Sequence, residues 1–454
     1  MNRKLFNIYL QLPTMFRTLA INLYGFYRAR QRFRGDFKKL LADLNRTQWL
    51  STKRLKEFQI EALRKMVEYA YNSTDYYHKL FIDHGLSPKD IQTLEDLKRI
   101  PILKKETIRK NFHALVSKNF PQNNRLLHSS SGTTGEKLYF YLPKYLRWKI
   151  NYAHLYRFYK WAGFKPYDRR VTIGARVFTR KPPYWVFNKF ENQLLLSIHH
   201  LNYETVGDYV KIIKKFSPHA IQGHPSGIYL IAEYLKQKKD KIPVKAILTN
   251  SETLFEDQRR VMEEVFVTHV YDVYHMGEAV VMAAQCEQHQ EYHEACEYGI
   301  MEVTNVKNGI GEIIGTSLHN FAMPFIRYKI GDLAEIAKKE SCTCGRGLPL
   351  KIKRILGRID DRLMLEHNRI VLAVTVRMAI KPLLEEGENY QFIQETTKDF
   401  RLKILTNNFH SKKRRRLIVA LKTILGEKAN IYIENVKEIP LVGGKIRNVI
   451  SKVK

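Results

Sequence analysis

The fold assignment of this 454-residue chain depends first on one stretch, Ser129-Ser130-Ser131-Gly132-Thr133-Thr134-Gly135-Glu136-Lys137. Its glycines let the backbone turn sharply and approach a ligand closely. Successive amides and hydroxyls can then surround phosphate oxygens, and Lys137 adds a positive charge. A Walker loop would end in Gly-Lys-Ser/Thr, which this stretch lacks. Taken alone, it fits a phosphate-binding loop and an ordinary polar surface loop about equally well.

The pattern of apolar residues differs on the two sides of this loop. Residues 1–125 show mainly helical spacing, as in Ile60, Leu63, Met66 and Val67, and predict a helical N-terminal region. Residues 126–359 alternate short β-branched runs with helical runs, which predicts a nucleotide- and substrate-binding core around a largely parallel sheet. The expected strands are Val171–Val177, Ala246–Thr249 and Val267–Val273, and the expected helices are Tyr209–Phe216 and Ile228–Lys236.

A more antiparallel section is expected next, followed by a small separate unit. The antiparallel strands are predicted at Tyr298–Thr304, Glu312–Ser317 and Leu333–Ala337. Residues 360–454 predict a compact α+β lid domain with two strands in Phe392–Leu405, a helix at Ser411–Leu425 and a strand at Asn430–Asn435. The fold class expected for the whole chain is therefore α/β, with a large domain and a small one.

Several further motifs follow the loop in a fixed order. They are Tyr274-His275-Met276-Gly277-Glu278, Met323-Pro324-Phe325-Ile326-Arg327-Tyr328-Lys329-Ile330-Gly331-Asp332, Cys342-Thr343-Cys344-Gly345-Arg346, Gly357-Arg358-Ile359-Asp360-Asp361 and Pro440-Leu441-Val442-Gly443-Gly444-Lys445-Ile446-Arg447. Each motif is weak alone, but the ordered set resembles the adenylate-forming superfamily of acyl/aryl-CoA synthetases, luciferases and adenylation domains. Within it the chain is similar to the phenylacetate–CoA ligase group, especially the branch associated with capsular polysaccharide biosynthesis, over nearly its whole length.

This resemblance implies an ATP- and Mg²⁺-dependent ligase that forms an acyl-adenylate and pyrophosphate, with a small C-terminal domain that moves. The loop Ser129–Gly135, with Lys137, would hold the β- and γ-phosphates. Glu278 matches the residue that holds Mg²⁺, and Asp332 matches the aspartate that accepts hydrogen bonds from the ribose hydroxyls. The remaining matches are Tyr274 in the nucleotide site, Arg358 at ribose or phosphate, Asp360 at the hinge, and Lys445 as the mobile lysine of the adenylation step.

The chain departs from the family pattern in two places. The usual Tyr-Gly-x-Thr-Glu becomes Tyr274-His275-Met276-Gly277-Glu278, so Gly277 offers no hydroxyl to the α-phosphate. Residues 362–370 contain no glycine where CoA-ligating members often have a glycine-rich turn. The acyl acceptor therefore stays open between CoA, a carrier thiol, an amine and a sugar hydroxyl.

Cysteine and histidine residues predict a second kind of site. Cys286, His293, Cys342 and Cys344 can supply two thiolates from one turn and two ligands from another, which suits a closed tetrahedral Zn²⁺ site. A similar structural zinc occurs in some relatives. Four reduced cysteines without metal are the alternative, with His289 and Cys296 standing nearby in the sequence.

The charge of the chain is strongly positive, with a formal net charge of +32. Such a field favours polyanions but does not choose among nucleotides, acidic glycans, membranes and nucleic acid. Lys412-Lys413-Arg414-Arg415-Arg416 fits a nucleic-acid patch or, better, the solvated start of a helix, and we find no nucleic-acid module. The aromatic and basic N-terminal segment suits either peripheral contact with an anionic membrane or a helix packed on the main domain.

Neither a secretory signal nor a stretch of about 18 apolar residues is visible, so a cytoplasmic enzyme, peripheral at most to the inner face of the membrane, is expected. The competing interpretations are a catalytically silent nucleotide-binding or scaffold protein of a polysaccharide assembly system, and a nucleic-acid-binding protein. The identity of the carboxylic acid and the oligomeric state do not follow from the sequence.

Overall fold

The computed structural model describes residues 9, 12–130, 137–174, 179, 181–202, 204–289, 291–339, 341–358, 362–366, 370–385, 388–406, 409–442 and 445–453. The N-terminal region is helical, as expected. Its helices are α1 (Thr14–Phe33), α2 (Phe37–Thr47), α3 (Thr52–Ser73), α4 (Asp75–Asp83), α5 (Lys105–Lys110) and α6 (Phe112–Leu115).

Helix α3 shows why this region is helical. Ser51 caps its first turn by accepting a hydrogen bond from the amide of Arg54 at 3.4 Å. Leu63, Met66 and Val67 lie on one face of the helix and are fully buried. Their helical spacing therefore reflects a face packed on the main apolar core, which α3 shares with the central sheet.

A short antiparallel hairpin carries the quoted loop. Its strands are β1 (Arg125–Ser129) and β2 (Tyr139–Pro143), and Ser129 stands opposite Tyr139 in the register. A π-helical turn, Leu146–Ile150, then leads into helix α7 (Asn151–Trp161).

A mixed sheet of twelve strands forms the centre of the molecule, in the order β11-β12-β13-β14-β10-β9-β8-β7-β6-β3-β5-β4. Strands β5, β3, β6, β7 and β8 are mutually parallel, and the pairs from β8 to β11 are antiparallel. The carboxyl ends of β6, β7 and β8 consequently meet at one edge, where open α/β sheets commonly bind ligands.

The strands of this sheet and the helices between them have the following bounds. The strands are β3 (Arg170–Gly174), β4 (Trp185–Asn188), β5 (Gln193–Ser197), β6 (Ala220–Gly223), β7 (Ala246–Asn250), β8 (Val270–His275), β9 (Met282–Gln285), β10 (Tyr292–Glu294), β11 (Gly299–Lys307), β12 (Ile310–Ser317), β13 (Tyr328–Ile336) and β14 (Leu350–Arg358). The helices are α8 (Val206–Phe216), α9 (Pro225–Gln237) and α10 (Glu256–Phe266).

The C-terminal residues form a smaller α+β unit with its own apolar core. Strands β17 (Asn389–Gln394), β18 (Asp399–Leu405), β19 (Asn430–Asn435) and β22 (Val449–Ser451) make a sheet in the order β19-β18-β17-β22. Around it lie helices α11 (Ala373–Ile380) and α12 (Ser411–Leu425) and the short strands β15 (Arg362–Met364), β16 (Ile370–Leu372), β20 (Leu441–Val442) and β21 (Lys445–Ile446).

An ion pair and a ring contact join this unit to the large one. Arg377 of α11 lies 2.8 Å from the carboxylate of Asp257 in α10. The same guanidinium stands 3.9 Å from the ring centroid of Phe255. The predicted boundary at residues 359–360 falls outside the described residues, so it stays a prediction.

The α/β fold class is confirmed, and one strand prediction needs correction. The run Val267–Val273 becomes a strand only from Val270, because Val267 takes a left-handed conformation with φ 53° that ends α10. Strand β3 ends at Gly174, and residues 175–177 of its predicted range lie outside the described residues. Among the described helices, none combines the length and apolar character needed to cross a bilayer.

Candidate active site

The hairpin β1–β2 brings the two ends of the quoted loop together. The amide of Ser130 donates to the carbonyl of Leu138 at 2.9 Å, and the amide of Leu138 donates to the Ser130 hydroxyl at 3.2 Å. Lys137 is exposed beside this closure. The predicted phosphate contacts Ser131, Gly132, Thr133, Thr134 and Gly135 lie outside the described residues.

Three predicted nucleotide residues lie together on neighbouring parts of the sheet: Tyr274 and Arg358 near the ends of β8 and β14, and Asp332 in the middle of β13. The Tyr274 hydroxyl donates to Asp332 Oδ2 at 2.7 Å. Asp332 stands directly opposite Arg358 in the β13–β14 register, and Arg358 Nε lies 3.4 Å from Asp332 Oδ1. Each carboxylate oxygen of Asp332 thus has a partner that fixes its direction.

Glu278 joins the same group from the turn after β8. Tyr328, the first residue of β13, donates from its hydroxyl to Glu278 Oε1 at 3.1 Å. Glu278 and Asp332 are only 8% and 9% exposed. We call the five side chains of Tyr274, Glu278, Tyr328, Asp332 and Arg358 the carboxylate cluster.

The electrostatics of the carboxylate cluster keep its tyrosines neutral and its arginine charged. Burial, and then the charge of Asp332, raises the pKa of Tyr274 well above its usual value. Burial and Glu278 do the same to the pKa of Tyr328. Burial alone would lower the pKa of Arg358, but Asp332 and Glu278 raise it overall. Both tyrosines are therefore hydrogen-bond donors to carboxylates at neutral pH.

Unusual backbone conformations support this geometry. Ala279, directly after Glu278, has φ 57°, and Arg327, directly before Tyr328, has φ 52°. Such left-handed conformations in non-glycine residues persist when surrounding contacts enforce them. Arg327 is held by a carboxylate pair with Glu302 at 2.9 Å and by the carbonyl of Ile100 at 2.8 Å. The first residue of β13 is consequently placed by a buried ion pair.

The sequence assigns no role to two residues that the structure places at this edge. The position of Tyr328 was predictable from the sequence. It precedes Asp332 by four residues on one strand, and alternate residues of a strand point to the same face of the sheet. The position of Arg147 was not predictable. Burial and the charge of Arg147 lower the pKa of His275, next to Tyr274, to about 4. The pKa of His128, next to the quoted loop, also falls to about 4 through burial, Arg147 and Arg28.

Two other predicted site residues are placed only in part. Lys445 begins strand β21, which pairs with β20, and its side chain lies outside the described set. Asp360 falls wholly outside it. His275 follows Tyr274 at the end of β8, and Gly277 has open space where a side chain would stand.

The structure brings together the four predicted zinc ligands. The ligand atoms of Cys286, His293, Cys342 and Cys344 all lie within 4.8 Å of one another. The Sγ atoms of Cys286 and Cys342 are 3.6 Å apart, and His293 Nε2 lies 3.5 Å from Cys344 Sγ. Tetrahedral bonds of ordinary zinc length would require about 3.8 Å between two sulfurs and about 3.6 Å between sulfur and nitrogen.

Surrounding contacts orient these four ligands. His293 Nδ1 lies 2.9 Å from the carbonyl of Leu348, an arrangement that leaves Nε2 free for a metal. Gly345, with φ 79°, forms the tight turn after Cys344. His289 lies elsewhere, against the rings of His269 and Tyr271, and Cys296 is buried beside Glu297. The donor set therefore fits Zn²⁺.

Chemically, the carboxylate cluster offers two anionic groups with different hydrogen-bond partners within one cluster. Asp332 is held from two sides and suits acceptance of hydrogen bonds from neighbouring hydroxyls. Glu278 has one oxygen engaged by a neutral tyrosine and suits a hard cation such as Mg²⁺. Ser130 and the exposed Lys137, at the two ends of the quoted loop, carry groups suited to phosphate oxygens.

Similarities to known proteins agree with this arrangement. The family model of the CapK C-terminal domain matches residues 363–452. Protein CapK of Staphylococcus aureus is 28% identical over 98% of this chain and 99% of its own length. Phenylacetate-coenzyme A ligase of Thermus thermophilus is 25% identical over 76% of this chain and 79% of its own length.

A solved structure of 2-hydroxyisobutyryl-CoA ligase, in the postadenylation state with 2-HIB-AMP, has the same fold. Its TM-score is 0.71 at 19% identity, over 90% of this chain and 92% of that one. The fold and these similarities together define an enzyme of the adenylate-forming class. Similarity to Protein CapK and to phenylacetate-coenzyme A ligases supports a phenylacetate–CoA ligase-like family with a CapK branch.

Proposed function

We propose that this enzyme activates a carboxylic acid with Mg-ATP and then transfers the acyl group to an acceptor. In the first step a carboxylate oxygen bonds to the α-phosphorus, and the bond from that phosphorus to the bridging oxygen breaks, which releases pyrophosphate. The observation that carries the proposal is the carboxylate cluster, where Asp332 is held by Tyr274 and Arg358. Such preorganisation places a nucleotide without rearrangement at the moment of reaction.

Each residue of the proposed site has a distinct task. Asp332 accepts hydrogen bonds from the ribose hydroxyls, with Tyr274 and Arg358 orienting it. Glu278 holds Mg²⁺, which would neutralise phosphate charge when bound. The loop Ser129–Gly135, with Lys137, holds the departing phosphates.

Lys445 supplies the cation that completes the site when the C-terminal unit closes. We propose that residues 360–454 act as this lid, hinged at Asp360. The contact of Arg377 with Asp257 and Phe255 supports docking of α11 on the large unit. Because Lys445 lies in that same C-terminal unit, docking and the supply of the lysine would be linked.

We propose two alternatives for the acyl acceptor. One is CoA, and the other is a non-CoA group, namely an amine, a carrier thiol or a sugar hydroxyl. Relatives named phenylacetate-coenzyme A ligase favour CoA. The absence of glycine at 362–370 weakens the case for CoA. The relative named CapK favours an acceptor in capsule or cell-surface polysaccharide synthesis. The reaction up to the acyl-adenylate is common to both.

The test is ATP-dependent pyrophosphate release with a panel of carboxylic acids, followed by mass spectrometry of the products with and without CoA. We expect release with at least one acid, and a loss of roughly a hundredfold or more in Asp332→Ala and Lys445→Ala. Lys428→Ala, an exposed lysine of the same C-terminal unit, is the matched control. Tight Mg-ATP binding without pyrophosphate release for any acid would favour the silent nucleotide-binding scaffold instead.

We also propose that Cys286, His293, Cys342 and Cys344 bind a structural Zn²⁺. The support is the spacing of their ligand atoms and the second contact of His293 to Leu348. Four protein ligands would close the site, so the metal would stabilise the fold without taking part in the reaction.

A further inference from the structure

Helix α1 has its polar and apolar faces the opposite way round from an ordinary surface helix. Arg17, Arg28 and Arg32 point into the protein and are only 7–8% exposed. The outward face carries a row of large apolar and aromatic side chains, namely Met15, Phe16, Leu19, Leu23, Phe26 and Tyr27. At 100° per residue these six fall within a single sector of the helix. We call them the apolar stripe.

The inward contacts of α1 fix this orientation. Arg32 forms a carboxylate pair with Glu191 at 2.6 Å, and Glu191 is itself only 2% exposed. Arg28 stacks over the ring of Trp148 at 3.5 Å. Gly25 packs so closely on Asn188 that an added Cβ would lie 2.2 Å from Asn188 Oδ1. Rotation to hide the apolar stripe would break the Arg32–Glu191 pair and the contact of Arg28 with Trp148, and would leave Arg170 as the remaining cation at Glu191.

The apolar stripe is therefore held outward by the fold. Met15 is 78% exposed, Leu23 is 61% exposed and Leu19 is 56% exposed. Contiguous exposed apolar surface of this kind marks a place where another apolar phase is contacted. A lone exposed leucine would need no such explanation, but a row of six along one helix does.

The charge around the apolar stripe identifies the occupant. The first acidic residue of the chain is Asp36, so neither α1 nor the preceding residues carry a negative charge. Arg30, Arg34, Lys38 and Lys39 continue from the end of the stripe and are exposed. A second copy of this surface would bring like charges together, whereas anionic lipid headgroups would neutralise them.

We propose that α1 anchors the enzyme to an anionic membrane surface, with the apolar stripe at the boundary between headgroups and acyl chains. The helix would lie in the interface and would not cross the bilayer. This inference is independent of the proposed reaction, because pyrophosphate release is measured in solution and membrane attachment is measured without substrate.

The test is flotation of the full-length protein with vesicles of phosphatidylcholine, with and without phosphatidylglycerol. We expect flotation with the anionic vesicles and at least tenfold less with phosphatidylcholine alone. Leu19→Ser combined with Leu23→Ser should reduce the partition constant at least tenfold, since each buried leucine contributes roughly that factor. Arg30→Gln combined with Lys38→Gln should weaken attachment to the anionic vesicles only.

Ile82→Ser combined with Val419→Ser is the matched control, because these residues are 60% and 61% exposed and belong to α4 and α12. The control should float like the unaltered protein, and all variants should keep the same circular dichroism. Three results would overturn the proposal: no flotation with anionic vesicles, equal flotation of the Leu19/Leu23 variant, or an apolar stripe buried in a dimer that light scattering detects and that Leu19→Ser with Leu23→Ser dissociates.

Discussion

Removing the Tyr274 hydroxyl is the most direct examination of the carboxylate cluster. The hydroxyl donates to Asp332 Oδ2 at 2.7 Å, while the other oxygen keeps Arg358 at 3.4 Å. A hydrogen bond to a charged group contributes about 1.5–3 kcal/mol. Since one partner remains, we take the lower value, which corresponds to roughly tenfold weaker binding of ATP in Tyr274→Phe.

Calorimetric titration with two nucleotides can separate orientation of Asp332 from a general loss of structure. ATP carries both ribose hydroxyls, and dideoxy-ATP carries neither. If Asp332 accepts from those hydroxyls, Tyr274→Phe weakens ATP binding and leaves dideoxy-ATP binding almost unchanged.

A second buried tyrosine–aspartate pair supplies the matched control. The Tyr292 hydroxyl donates to Asp272 at 2.5 Å in the same sheet. Tyr292→Phe should lower the free energy of unfolding by a similar amount, about 1.5 kcal/mol, without changing affinity for ATP. Equal weakening of both nucleotides by Tyr274→Phe, or equal loss of ATP binding in Tyr292→Phe, would refute the assignment of Asp332 to the ribose.

Three further predictions concern the metal, a buried ion pair and pH. Cys344→Ser should abolish stoichiometric zinc in elemental analysis, whereas Cys296→Ala should retain it; zinc-free unaltered protein would contradict the metal assignment. Arg327→Met should lower the free energy of unfolding in urea by about 3 kcal/mol, the lower end for buried pairs, because it leaves Glu302, whose side chain is 12% exposed, without its cation. A loss below about 1 kcal/mol would contradict the role given to the pair. The pKa of His275 is lowered from 6.5 to about 4 in the folded protein, so the unfolded chain binds more protons between these pH values. The free energy of unfolding should therefore rise with pH between about 4 and 6.5, and it should rise less steeply in His275→Asn.

The C-terminal unit was predictable because local signals and packing agree there. Helix α12 and strand β19 have the bounds expected for them, Ser411–Leu425 and Asn430–Asn435. Leu417, Leu421 and Leu425 are buried at helical spacing, and His410 caps the first turn. The basic run at the start of α12 is mostly solvated, as expected, apart from Lys413, which is buried in a pair with Glu388.

The metal cluster was predictable only in part from the residues themselves. Sequence spacing allows His289 as well as His293. The antiparallel pairing of β9 with β10 decides between them, because it places His293 opposite Ala284, near Cys286 at the end of β9. The register of two strands depends on packing of the whole sheet, so short sequence patterns do not predict it.

The active-site edge shows a similar division. Ordered motifs predicted Tyr274, Asp332 and Arg358 as one group, and the structure brings them together, while their roles stay predictions. Arg147 was not predictable, since its position near His275 and His128 depends on how the turn Leu146–Ile150 packs against two distant strands. The face that α1 buries was also beyond reach, because its arginines are satisfied by residues more than a hundred positions away, such as Glu191.

The inward arginines of α1 have a practical consequence for anyone who shortens or modifies this protein. Deleting the helix to remove its exposed apolar side chains would also remove Arg32 from its ion pair with Glu191 and expose the ring of Trp148. The truncated protein would then have a new exposed apolar surface in place of the old one. Polar replacements confined to the outward side keep those contacts intact. Tags and fusion partners are better placed at the other terminus.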